Sequence, residues 1–527
     1  MRGPVKIRNS FSSIVVAVFL AGGIAHAQDA AAPVATPGPA SDSASVGANA
    51  VIPVTTSSAA ARRAYELGLV EREDRLFVDE GLEFFRQAVK ADPQFALGHA
   101  ALGYFTADPK EGMDESALAI KYIDSATPDE QLLIHWMNGT KNGETVAAIS
   151  AMNDLLAKYP SDKRLINMAA EWLCSNQGAS EHGEALLIRL LKNDPRYYPA
   201  MNNLAYCYAL SGQARLSPPL MEQYVAALPN EPNPQDSYGE IMRILGDYPA
   251  ALDHYQKALQ INPNFNPSQV GVASTYALMG DQKRARAQYL VAIKGTKEKS
   301  TQINYRILWA MTYYRENKPR LAREEFMKVD SEAHLTGLPV QQAEIHRIMA
   351  LFNPDSVSAL KDLDEARSDL SSANSKTKLL PGERDVELAS ILQTTAFVAV
   401  SAGKTDKAEA ALKLLAEMAE TSRSTPVQNS YHSANGAVLF AKGDYAGAIS
   451  ELQEDPQNPL SLRLLAEAQT KAGQAVDAQK TLETLAAISD ERVETAFAAP
   501  QARMALKSEP PQQPAATQSA GRKSGLM

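Results

Sequence analysis

The protein has 527 residues, with 52 Lys or Arg against 61 Asp or Glu and a formal net charge of −9. That balance argues against nucleic acid or an anionic membrane as the main partner. Two cysteines are too few for a disulfide scaffold.

Residues 1–27 read as an export signal. Arg2, Lys6 and Arg8 form a basic start, Ile14 to Leu20 and the residues up to Ile24 form an apolar core, and Ala25-His26-Ala27 is an A-x-A site, so cleavage is expected after Ala27. The apolar run falls short of the roughly 20 residues that spanning needs. No later stretch is apolar enough, so no integral membrane span is expected after signal cleavage. No Cys sits at the cleavage site, which argues against a lipoprotein. A periplasmic or extracellular location is the expectation. Residues 28–58, rich in Ala, Pro, Ser, Thr and Gly, read as a low-complexity linker.

The body of the chain is organised by a repeating stretch, clearest from Gly246 to Pro263. Gly246-Asp247 ends one helix and starts the next. Ala251, Tyr255, Ala258 and Leu259 then share one helical face, and Asn262-Pro263 stops it. Prolines recur at Pro93, Pro128, Pro160, Pro195, Pro229 and Pro263, at intervals of 35, 32, 35, 34 and 34 residues. This spacing of small, aromatic and small residues followed by proline resembles the tetratricopeptide repeat. The resemblance covers roughly residues 60–490 and points to an exported bacterial member of that family. It implies an all-α fold: an α-solenoid of about 11 helix-turn-helix units in a right-handed superhelix, in one stack or two. Chain length alone would suggest three or so globular domains; the periodicity overrides it.

Residues 59–335 are read as an N-terminal array. Its second unit, residues 96–128, has a degenerate second helix near Ala117 to Ile123. Pro218-Pro219 opens the second helix of the fifth unit, where proline is tolerated. Residues 336–385 lack the signature. Helices are expected at Pro339 to Phe352 and Asp355 to Ser372, forming either a diverged repeat or a hinge between stacks. Regular units return in residues 386–490, and residues 491–527 form a C-terminal extension with a disordered tail.

No catalytic arrangement stands out. G-x-S-x-G, H-E-x-x-H, C-x-x-C and P-loop patterns are missing, the histidines are scattered, and acidic clusters share helices with Lys and Arg. No catalytic residue, cofactor or metal is expected. Recognition remains. In the family resembled here, first helices of successive pairs line a concave groove. The equivalent positions are Tyr104, Met137, Trp172, Tyr206, Glu240 and Met311, with Met168 and Asn202 four residues before Trp172 and Tyr206. Such a surface suits a protein or peptide partner anchored by aromatic residues; the same side chains could instead pack inside the superhelix or under a terminal segment. The Lys, Arg and Asn set with which some members clamp a terminal carboxylate is not matched. Cys174 and Cys207, 33 residues apart in neighbouring first helices, are either two small buried thiols or a disulfide. A non-catalytic binding scaffold is the leading expectation. Its rival is a repeat-bearing enzyme, or a subunit of an envelope or polysaccharide assembly machine, with a site in residues 339–382.

Overall fold

The structure of the protein, a computed structural model, describes residues 51–74, 78–175, 180–371, 379–422 and 424–508. The expected signal, residues 28–50 of the expected linker and the tail from 509 lie outside the described residues. Among the described residues there are 25 α-helices and no strand.

Twenty-four helices form twelve successive pairs. The first four are α1 (Ala59–Leu69) with α2 (Val78–Ala91), α3 (Ala96–Phe105) with α4 (Pro109–Lys121), α5 (Pro128–Asn142) with α6 (Thr145–Lys158), and α7 (Lys163–Ser175) with α8 (Ser180–Asn193). Then come α9 (Tyr198–Leu210) with α10 (Pro218–Ala227), α11 (Pro232–Ile244) with α12 (Tyr248–Ile261), α13 (Asn266–Leu278) with α14 (Gln282–Gly295), and α15 (Lys299–Arg315) with α16 (Pro319–Thr336). The last four are α17 (Pro339–Leu351) with α18 (Ser356–Ser371), α19 (Pro381–Ser401) with α20 (Thr405–Thr421), α21 (Thr425–Ala441) with α22 (Tyr445–Leu452), and α23 (Pro459–Lys471) with α24 (Ala475–Ala487). A single helix, α25 (Val493–Ser508), follows.

The pair α11/α12 shows why the sequence folds this way. Gly246 takes a left-handed φ of 81°, which a side chain would disfavour, and turns the chain out of α11. The Asp247 side chain then accepts from the Ala250 N–H and caps α12. Ala251, Tyr255 and Ala258 are fully buried between neighbouring helices. The same left-handed turn recurs at Gly280 and, with asparagine in place of glycine, at Asn317 (φ 56°). Each pair packs on the next, so the apolar core runs along the stack.

Three details differ from the sequence reading, and α17 with α18 fit one of its two alternatives, a diverged repeat. Residues 109–121 form a full helix rather than a degenerate one. Pro128 opens α5 behind a capping box of Thr127 and Glu130, whereas the other five periodic prolines follow a second helix. The segment without the signature, α17 and α18, packs as an ordinary pair between its neighbours, with Leu360, Leu363 and Ala366 buried alongside Ala343 and Ala350. Residues 51–58, read as part of a linker, are laid across the first four pairs. Ile52 N–H donates to Asp162, Thr55 N–H to Glu130 (2.5 Å) and the Thr56 hydroxyl to Asp92 (2.5 Å).

The superhelix touches itself one turn on. Arg86 on α2 bridges Glu111 and Glu298, the residue that precedes α15. The end of α5 meets the start of α19, where Gly382 lies against Lys141 and Gly143. Both contacts join units seven pairs apart. The hollow of the superhelix is correspondingly narrow.

Candidate functional site: the concave face

The sequence-derived stripe lies on first helices, as expected, but the narrow hollow closes over much of it. Met137 (1% exposed), Met311 (2%), Glu240 (6%), Asn202 (7%) and Met168 (8%) are buried. Tyr104, Trp172 and Tyr206 are half-buried and form the reachable remainder. Tyr104 packs against Trp136 at 5.4 Å between ring centroids and beside Phe105 at 5.0 Å. Met168 joins the N-terminal core, and Trp172 packs against the same cluster.

First helices α7 and α9 are locked together beneath Trp172 and Tyr206. The Cys174 and Cys207 side chains form a disulfide with Cα atoms 5.1 Å apart, which resolves the two alternatives read from their spacing. Asn203 donates to Asn167 at 3.1 Å and to Glu171 at 3.4 Å. Its neighbour Asn202 differs: its side-chain carbonyl oxygen is buried and accepts no hydrogen bond among the described residues.

Farther along, Tyr206 donates to Glu240 at 3.0 Å. Glu240 shares the guanidinium of Arg243 with Glu491, a residue of the loop before α25. Arg315 on α15 donates to the backbone carbonyls of Asp490 and Glu491. The loop therefore crosses the face of α11 to α15, and α25 lies beyond it against α24, α23 and α15, with Arg347 of α17 reaching its Glu494. Phe497 of α25 meets Phe352 edge-on at 5.6 Å, and Phe352 stacks on Tyr314 at 4.1 Å. Beside these rings is an open cleft of about 600 Å³ that also takes in Gln282, Arg315, Arg503 and Met504.

The sequence reading missed Arg243, Arg315, Arg347 and the whole of α25 as parts of this face. The arginines sit three to four residues past the positions equivalent to Glu240 and Met311, so the helical register could have found them. No comparable signal identified α25. His346, one of the closest histidine pair in sequence, is held by Asp369 at 2.9 Å. Among the described residues no helix is long and apolar enough to cross a membrane.

The pattern of the tetratricopeptide repeat matches residues 439–499 and, in a second form, residues 235–265. A curated relative, TPR repeat-containing protein YpiA of Bacillus subtilis (strain 168), is 25% identical over 163 residues. That match covers 31% of this chain and 36% of the relative, so the chain spans about a third of the relative's length. Among solved structures, the APC/C hetero-tetramer Cut9–Hcn1 is similar over 80% of this chain and 76% of that one, at 16% identity and a TM-score of 0.41. TTC0263, a thermophilic TPR protein in Thermus thermophilus, is similar over 35% of this chain and 98% of that one, at 20% identity and a TM-score of 0.30. Two segments of the chain, within its stack of twelve helix pairs, thus carry tetratricopeptide repeats.

Proposed function

We propose that this protein is an exported, non-catalytic scaffold that takes a protein or peptide segment on its concave face, at Tyr104, Trp172 and Tyr206. The observation that carries the reading is the pair of half-buried rings of Trp172 and Tyr206, on first helices α7 and α9 that the Cys174–Cys207 disulfide holds together. Aromatic anchors on a rigid platform favour a segment that brings apolar side chains. Export is supported by the signal-like residues 1–27 and by the Cys174–Cys207 disulfide, since such bonds persist in oxidising compartments. The rival enzyme reading placed its site in residues 339–382; the described part of that segment packs as the helix pair α17/α18, which favours the scaffold reading.

The test is affinity purification of the full chain from the cells that express it, beside the Trp172→Ala plus Tyr206→Ala variant. Partners held by the parent and lost by the variant are expected, with far-UV circular dichroism unchanged. If every partner stays bound to the variant, this face is not the binding site. Amino-terminal sequencing of the exported chain is expected to begin at Gln28; a chain beginning at Met1 in the cytoplasm would overturn the export reading.

A further inference from the structure

The C-terminal segment is held across the hollow by carboxylates that outnumber their cations. At the first contact, Arg243 (2% exposed) donates to Glu240 at 3.0 Å and to Glu491 (3% exposed) at 2.7 Å. Asp236, one turn back on α11, is also buried and accepts from Ser268 at 2.6 Å. The other polar groups facing Glu491 are the Tyr255 hydroxyl, which accepts from Arg243, the Tyr289 hydroxyl from α14, and Arg315. At the second contact, Arg347 on α17 donates to Glu387 on α19 at 2.9 Å and to Glu494 on α25 at 2.7 Å. Glu344, one turn back on α17, faces the same three groups. Between the contacts, Arg492 pairs with Asp490 and donates to the Gln457 carbonyl, with Asp455 nearby.

Each contact thus sets three carboxyls around one guanidinium, buried at the first contact and partly buried at the second, and in each the third carboxyl arrives with the C-terminal segment. One guanidinium neutralises one carboxylate. The surplus charge is repelled by its neighbours and poorly solvated, so the docked arrangement favours carboxyls that carry protons. Without Glu491 and Glu494, each arginine would face fewer carboxylates, in a hollow open to water.

We propose that the loop from Ser489 to Arg492 together with α25 is a proton-dependent latch over the concave face, docked when the surplus carboxyls are protonated and released as they ionise. The electrostatics run in the same direction. Burial, with Glu387 and Glu494 adding to it, pushes the Glu344 carboxyl up to about 7. Burial likewise raises Glu387, with Glu494 adding, and Glu240, with Glu491 adding. A carboxyl whose value is higher docked than free takes up a proton on docking. The latch is therefore strongest below the ordinary carboxylate range, weakens as pH climbs to about 7, and is weakest above that. Release would uncover Glu240 and with it the hydroxyl end of Tyr206. In purpose the latch rests on the partner-binding reading, but its docking equilibrium belongs to the isolated chain.

The experiment is hydrogen–deuterium exchange of the full chain, without partner, at pH 5.5, 7 and 8.5, corrected for the intrinsic pH dependence of amide exchange. Protection of residues 493–508 is expected to fall at least tenfold from pH 5.5 to 8.5, while α11, α13 and α15 keep theirs. Glu344→Gln plus Glu387→Gln, which removes two ionisable groups of the second contact and keeps their shapes, is expected to lose at least half of the parent's pH response on a logarithmic scale, the rest being the first contact's share. Unchanged protection in the parent overturns the latch, as does a parallel loss through all twelve pairs or the parent's full pH response in the double variant. If that variant gives no cooperative melt, Glu494→Gln replaces it, since α25 lies outside the twelve pairs. It is then expected to lose at least half of the parent's response on a logarithmic scale, and the full response overturns the proposal. None of these outcomes bears on whether Trp172 and Tyr206 hold a partner.

Discussion

Tyr255 shows how one side chain fixes the spacing of two units. Its ring lies between Gly239 on α11 and Gly271 on α13. A Cβ at Gly239 would come within 2.9 Å of it, and one at Gly271 within 2.4 Å. The helical face of α12 made Tyr255 legible as core, yet the two glycines that admit its ring were not read as its partners, because they lie on other helices. Gly271→Ala is expected to cost about 1–3 kcal/mol through overpacking, seen as a lower midpoint in urea unfolding with the helical signal intact. An unchanged midpoint would mean that the ring moves aside freely. A second residue-scale prediction concerns Cys174 and Cys207. Their bond closes a loop with a sequence separation of 33. Reduction should release about 3.5 kcal/mol of constraint on the unfolded chain, measured as a lower melting temperature in dithiothreitol that a double Cys→Ala variant reproduces without reductant.

At the scale of elements, legibility followed locality. Pair boundaries came from turns and prolines a few residues apart, and even α17 and α18 were placed within a few residues because helical periodicity does not need the family signature. The candidate groove was harder. Helical register put Met137, Glu240 and Met311 on the inner face, but register carries no information about what stands opposite. Met137 is buried in the N-terminal apolar cluster, Met311 in the cluster that takes in Val493 and Ala498 of α25, and Glu240 beside Arg243 and Glu491. The last two depend on contacts between residues far apart in the chain, as Arg243 with Glu491 and Arg347 with Glu494 are. Arg347 offers the test at this scale because it joins α17, α19 and α25. Arg347→Met leaves Glu344, Glu387 and Glu494 without their cation. The expected loss is about 3–5 kcal/mol at pH 8 and clearly less at pH 5.5, below the value of about 7 to which burial pushes the Glu344 carboxyl. Melting temperatures of parent and variant at the two pH values check it; an equal loss at both would show that packing, rather than charge, holds the junction.

At the scale of the whole molecule, the question is what keeps a stack of pairs at one curvature. Each pair contacts its neighbours, which sets a local twist but allows the small errors of twelve joints to accumulate. The contacts seven pairs apart remove that freedom: Arg86 with Glu298, and the end of α5 with the start of α19. The second contact is close, since a Cβ at Gly382 would stand 3.2 Å from the Lys141 carbonyl. It also has an electrostatic cost. Burial brings the Lys141 ammonium down to about 8, against the pull of Glu383 and with Arg72 adding to the drop. A lysine depressed on folding weakens the fold fully below that value, and the penalty fades as pH rises toward its ordinary 10.5. Closure should therefore be separable from pairing. Glu298→Lys plus Gly382→Leu sets like charges at one contact and a side chain into the backbone at the other. Small-angle scattering should then report a larger radius of gyration than the parent's, while circular dichroism keeps its helical signal because every pair retains its neighbours. An unchanged radius would place the curvature in the joints themselves, and a loss of helix would make the closing contacts part of what holds the pairs together.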